Sequence, residues 1–159
     1  DLVVYVPVGM KFDEVEINAG AGTLKTEKMV TNKLDLKLGA GKTSIDELEV
    51  KEEARIDGGA GLTEIKNGDL NNLDLELGAG KAEVKAKLSG NNKIHSGAGK
   101  LELDLIGREA DYKLMLDKGI GSIKVNGESQ KDDTIYGQGK NLVEIESGVG
   151  AVEINMIAK

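Results

Sequence analysis

The chain has 159 residues, a formal net charge of −7 at pH 7 and a pI near 4.9. That balance argues against nucleic acid and against an anionic membrane surface, both of which select Lys/Arg-rich faces. It holds 22 Gly, 1 Pro, 3% aromatic residues and no Cys or Trp, which excludes collagen and a disulfide framework and leaves Leu, Ile, Val and Ala to build the core. No run of about 18 apolar residues occurs, so nothing in this chain reads as a membrane-spanning helix. The lack of Cys suits either side of a cell membrane. The chain opens on Asp1, which predicts that an upstream piece, a signal peptide or anchor, has been removed.

Residues 1–12 open with the β-branched run Leu2 to Val6, which predicts a strand ended by Pro7. This piece is expected to act as the first wall or cap. Residues 13–159 then repeat. Gly-Ala-Gly stands centred on Ala21, Ala40, Ala60, Ala79 and Ala98, followed by Gly119-Ile120-Gly121 and Gly148-Val149-Gly150. The centres lie 19, 20, 19, 19, 22 and 29 residues apart. A period near 20 residues marks a solenoid of stacked short units within one domain, 1–159.

Aligned on the centres, two columns stay almost wholly apolar. Four residues before stand Ile17, Leu36, Ile56, Leu75, Ile94, Leu116 and Ile145; five after stand Thr26, Ile45, Ile65, Val84, Leu103, Val125 and Ile154. Three after stand Leu24, Thr43, Thr63, Ala82, Leu101, Ile123 and Val152, and polar residues fill the positions between. Both flanks therefore alternate with period 2, as strands with one buried face do. The inward parity switches across the glycines, and a one-residue slip turns every side chain over unless the chain absorbs a residue. Each Gly-Ala-Gly is thus a corner, its second glycine expected at positive φ and its central Ala expected to point inward.

The rest of each coil is looser. Leu48, Leu70, Leu88 and Ile106 read as a third wall, and Asn32, Asn71, Asn72, Asn91 and Asn92 as turn residues before the next strand. Extra residues fall near Gly107–Asp111 and in a polar stretch near 127–134, expected to be a surface loop. No 3.6-residue stripe is evident, so little or no helix is expected. About seven coils at ~4.8 Å each would make a rod of roughly 34 Å. The last coil, ending in Val152, Ile154, Met156 and Ile157, lacks an evident cap, which predicts self-association there.

Stacked coils would bring equivalent outward residues together. Five before the centres stand Glu16, Asp35, Arg55, Asp74, Lys93, Met115 and Glu144, and the signs alternate from Asp35 to Lys93. Opposite charges on neighbouring strands favour that stacking. Glu64, Glu83 and Glu102 share the position four after the centre. Such a carboxylate ladder could attract a hard cation or imitate a glycosidase acid pair. Lys81 and Lys100, two residues earlier on the same face, neutralise it instead. His95 is the sole histidine and faces outward, with no second nitrogen or sulfur ligand to make a zinc site. Gly41-Lys42-Thr43 matches only the end of a phosphate-binding loop, because Leu36 stands where its first glycine belongs. No catalytic, cofactor or metal residue is assigned.

Leu2-Val-Val-Tyr-Val-Pro7, Gly9-Met-Lys-Phe12, Val15-Glu-Ile17 and the iterated Gly-Ala-Gly together resemble a bacterial family of β-strand-repeat domains of unknown function that carries an adhesin label. The resemblance covers essentially the whole chain. It implies a right-handed β-helix-like solenoid and an extracytoplasmic, envelope-associated or secreted setting, with no catalytic residues to carry over. Right-handedness also follows from the crossover rule for parallel strands. The expectation is an all-β, right-handed parallel β-solenoid that acts as a structural or interaction module toward a protein or glycan. A glycan-active lyase or hydrolase on the same scaffold is the alternative. Tyr5, Phe12, Tyr112 and Tyr136 are too scattered to form the sugar platforms such an enzyme needs.

Overall fold

The computed structural model describes residues 4–7 and 9–158. It is an all-β, β-solenoid-like structure whose only helical element among the described residues is a 3-10 turn, Glu109–Asp111. The strands are β1 (Phe12–Asn71), β2 (Leu73–Leu77), β3 (Lys81–Ser89), β4 (Asn91–Ile106), β5 (Tyr112–Lys118), β6 (Ser122–Val125), β7 (Glu128–Ser129), β8 (Thr134–Tyr136) and β9 (Asn141–Ile157).

β1 runs for 60 residues. Straight, it would reach roughly 200 Å; instead it winds through several corners without losing its ladder. Lys28 meets Glu47 at 2.8 Å and Lys66 meets Asp46 at 2.7 Å, partners one period apart. From β1 to β4 the pairing is parallel with that period. Ile56 lies beside Leu75, Leu75 beside Ile94, and Val84 beside Leu103.

The predicted inward columns form the core. Leu36, Ile56, Leu75, Ile94, Leu116 and Ile145 are buried on one wall; Ile45, Ile65, Val84, Leu103, Val125 and Ile154 are buried on the next. Leu48, Leu70, Leu88 and Ile106 close the third side. In these columns the members from the first turn are incompletely covered: Ile17 and Thr26 are half-buried, as is Leu24 beside them.

The corner residues differ from expectation. Ala21, Ala40, Ala60, Ala79 and Ala98 are exposed, as are Val149 and Ile120, the latter at 88%. The reason lies in the glycines. A Cβ on Gly41 would sit 1.9 Å from the carbonyl oxygen of Gly22, and one on Gly99 2.0 Å from that of Gly80. The missing Cβ would point along the stack into the neighbouring corner, so the backbones of successive corners pack directly on each other. That leaves the central residue at a convex vertex with no interior to enter. Left-handed φ is needed at only two of these second glycines, Gly22 (φ 128°) and Gly41 (φ 152°). At the others glycine serves close approach.

The stacking order also departs from chain order. β9 pairs with β4 on one side and with β5 and β6 on the other. The last strand of the chain is therefore inserted between its two predecessors. The corners agree: Gly148 abuts Gly97, and Gly119 abuts Gly148. Val152 and Ile154 are fully buried, so the premise of an uncapped C-terminal coil is wrong. The insertion that permits this is not a plain loop. It carries β7, antiparallel to β6, and β8, antiparallel to β5. These short strands cover the outer edge of the last layer, which would otherwise be open to edge pairing.

The N-terminal strand expected at Leu2–Val6 is not formed where it can be seen. Residues 4–7 have no strand structure, and Val4, Tyr5 and Val6 are exposed; Leu2 and Val3 lie outside the described residues. With no neighbouring coil to receive this run, β-propensity alone does not make a strand.

The asparagines do more than turn the chain. Asn72 adopts φ 48°. Asn92, completely buried, accepts from the Leu73 amide at 3.0 Å and donates to the carbonyls of Leu142 (3.0 Å) and Gly90 (3.4 Å). One side chain thus pins three segments. Tyr112 fills the core beneath the 3-10 turn. Its hydroxyl donates to Ile106 O at 2.7 Å and accepts from the Leu88 amide at 3.3 Å, and burial pushes its pKa up.

Candidate functional site

The wall that follows each glycine corner carries a column of stacked charged residues. Period-2 alternation in β1, β3, β4 and β9 sends one residue in two outward, and the parallel register stacks them. Glu64 lies beside Glu83, Glu83 beside Glu102, and Glu102 beside Glu153. Lys124 ends the column beyond Glu153. Glu153 and Lys124 escaped the sequence reading although each stands four after its centre, because the column was followed only in chain order.

Four neighbouring carboxylates would repel, and two lysines answer them. Lys81 hydrogen-bonds Glu83 and lies 3.4 Å from Glu102. Lys100 lies 2.7 Å from Glu102 and 3.4 Å from Glu153. Each ammonium therefore bridges two coils. Ser44 Oγ donates to Glu64 at 3.1 Å. The hydrogen bond from Lys100 holds the Glu102 carboxyl below its ordinary range, and the hydrogen bonds to Glu83 and Glu102 raise Lys81 and Lys100 respectively. A general acid at neutral pH needs the opposite shift. The arrangement favours fixed, paired ions over proton transfer.

The preceding wall carries the alternating charges. Arg55 lies beside Asp74, Asp74 beside Lys93, and Lys93 beside Glu144. The inserted β9 thus continues an alternation that chain order interrupts at Met115. His95 faces outward as expected, and its Nδ1 lies 2.7 Å from Glu146 on β9.

Two further features were not anticipated. Asp117, Asp132 and Asp133 bring carboxylate oxygens within 4.8 Å of one another. The Lys118 amide donates to Asp132 at 2.9 Å. Burial, then the charges of Asp132 and Asp133, push the Asp117 carboxyl up. These oxygens are the ligand type that a hard divalent cation takes. The signal was split between a strand end and an insertion, so spacing could not show it. Secondly, a groove of about 200 Å³ runs along the third wall, flanked by Lys28, Glu47, Glu49, Asp69 and Lys87 above Ile106. Its charges are mixed, with Lys28 and Glu47 paired across it. The aromatic residues form no platform. Tyr112 is buried, Tyr136 half-buried and Tyr5 fully outside.

Comparison with known proteins corrects the resemblance drawn from the repeat. No curated protein and no solved structure matches the chain. The family model that does match is not that of the adhesin-labelled group; it is described as Toastrack DUF4097, a domain of unknown function. In this chain the Gly-Ala-Gly corner reports the backbone packing of successive coils, so the repeat is a marker of the stack and misled as a marker of that family. The match spans residues 4–155, and the chain belongs to the Toastrack DUF4097 family.

Proposed function

We propose that this domain is a non-enzymatic interaction module of the bacterial cell envelope, a right-handed β-solenoid of about seven coils that presents a rigid charged wall to a protein or glycan. The single observation that carries the reading is the Glu64–Glu83–Glu102–Glu153 column with Lys81 and Lys100 bridging its members. Every charge on that wall is set by the strand register. A partner therefore meets a preformed ionic pattern and no loop has to be ordered on binding, which lowers the entropic cost of association. The lysines engage Glu83, Glu102 and Glu153 and hold the Glu102 carboxyl below its ordinary range, which supports binding over acid catalysis. A cysteine-free chain keeps the same covalent structure in an oxidising extracytoplasmic space.

The test is retention of envelope proteins and polysaccharides on the immobilised domain, repeated with Lys81→Glu/Lys100→Glu. Binding by the native wall that the double variant loses supports the proposal. Polysaccharide cleavage that survives purification and falls on Glu83→Gln would replace it with the glycan-active reading. Fractionation of the full-length protein tests the location.

A further inference from the structure

The two ends of the stack are unequal. At the far end β7 and β8 cover β6 and β5 in antiparallel fashion. At the near end no strand among the described residues precedes Phe12, and Val4, Tyr5 and Val6 stand exposed rather than folded over the core. Val15, Ile17 and Leu24 are accordingly half-covered.

Gly20 marks this edge as one shaped for a neighbour. At the first glycine of each later corner, a Cβ would strike the backbone of the adjoining corner at 2.1 to 2.8 Å: Gly39 against Gly20, Gly78 against Gly59, Gly148 against Gly97. At Gly20 the same position meets nothing within 4 Å, and Gly20 is not among the residues at positive φ. Among the described residues of one chain nothing requires glycine there. A backbone stacked on the outer edge would.

We propose that the occupant is a second copy of this chain, docked edge to edge about a two-fold axis that passes through the corner between Gly20 and Ala21. Head-to-tail stacking is blocked, because β7 and β8 already hold the other end. A two-fold axis through the corner lays the strand before it, antiparallel, on the strand after it in the partner. The register that keeps inward residues facing inward sets Ile17 opposite Leu24 and Val15 opposite Thr26. On the outer face the same register sets Glu16 opposite Lys25 and Asn18 opposite Thr23, and the symmetry makes each pair twice. Glu14 meets Glu27, a like-charged pair at the periphery next to Lys28. Such self-complementarity is what an isologous interface requires, and a strand from an unrelated chain would not need it.

Sedimentation equilibrium on the 159-residue chain tests this directly. The expected species is a dimer of twice the 16.8 kDa chain mass. Glu16→Lys and Lys25→Glu alone each place like charges across the junction and should raise the dimer dissociation constant at least ~10-fold. The double variant Glu16→Lys/Lys25→Glu should restore it. Gly20→Arg, whose side chain leaves its own chain and enters the neighbour's space, should be a folded monomer by circular dichroism. A folded wild-type monomer at millimolar concentration overturns the proposal and assigns the edge to an upstream segment or another protein. A dimer indifferent to both single charge changes, or not rescued by the double, overturns it equally.

Discussion

Gly99 and Gly150 stand back to back across β4 and β9: a Cβ on Gly150 would lie 2.1 Å from the carbonyl oxygen of Gly99. Those residues are 51 apart in the chain, yet their backbones are in contact because β9 is inserted beside β4. Gly150→Ala should therefore force a backbone shift in both strands and cost about 1–3 kcal/mol, as overpacking does. Ala98→Val, at the exposed vertex of the same corner, should change stability by less than about 0.5 kcal/mol. Urea unfolding of both variants checks the pair. Equal effects would contradict the outward vertex.

Removal of residues 141–159 should do more than shorten the stack. β5 and β6 find their parallel partners only in β9. The truncated chain should keep exchange protection in β1 to β3 and lose it throughout 112–136, which hydrogen exchange can map. Protection retained in β5 would mean that it pairs with β4 instead, against the inserted order.

Asn92→Ala leaves the Leu73 amide and two carbonyls without their buried partner. Unsatisfied buried groups of this kind cost about 1–3 kcal/mol. Asn91→Ala, on an exposed neighbour, should cost less. The difference between their denaturant midpoints is the readout.

The acidic cluster predicts a pH signature. Burial and the charges of Asp132 and Asp133 raise the folded-state pKa of Asp117. A carboxyl with a raised folded pKa opposes folding once ionised: the penalty is absent below the unfolded pKa and complete above the folded one. Asp117→Asn should thus raise the melting temperature at pH 7 and have no such effect near pH 3. Glu102 behaves in the opposite sense. Its folded pKa is lowered by Lys100, so its contribution is present at pH 7 and lost as the pH falls through the folded pKa. Melting curves of Asp117→Asn and Glu102→Gln across that range should therefore diverge in sign.

What the repeat determined by itself was the unit. Period 2 on either side of each Gly-X-Gly placed Leu36, Ile56, Ile94 and their counterparts in the core, because a side chain's face in a strand depends only on its local position. It also placed Glu64, Glu83 and Glu102 in one column and Lys81 and Lys100 within reach of them, because a common offset within equal repeats becomes proximity once coils stack. It misjudged Ala40 and Ala79, since the direction of a corner residue depends on how closely the neighbouring backbone approaches, which is a contact between coils.

Only the tertiary structure decided the order of the layers and the state of the two ends. Units so alike offer nearly equivalent edges, and the residues between Val125 and Asn141 are enough to let β9 go either beyond its predecessor or inside it. The choice is made by contacts that chain order hides: Lys93 against Glu144, His95 against Glu146, and the β7 and β8 strands that need the outer edge of β5 and β6 for themselves. A repeat specifies its own cross-section locally. Which copy lies against which is a long-range property, settled only when the edges compete for one another.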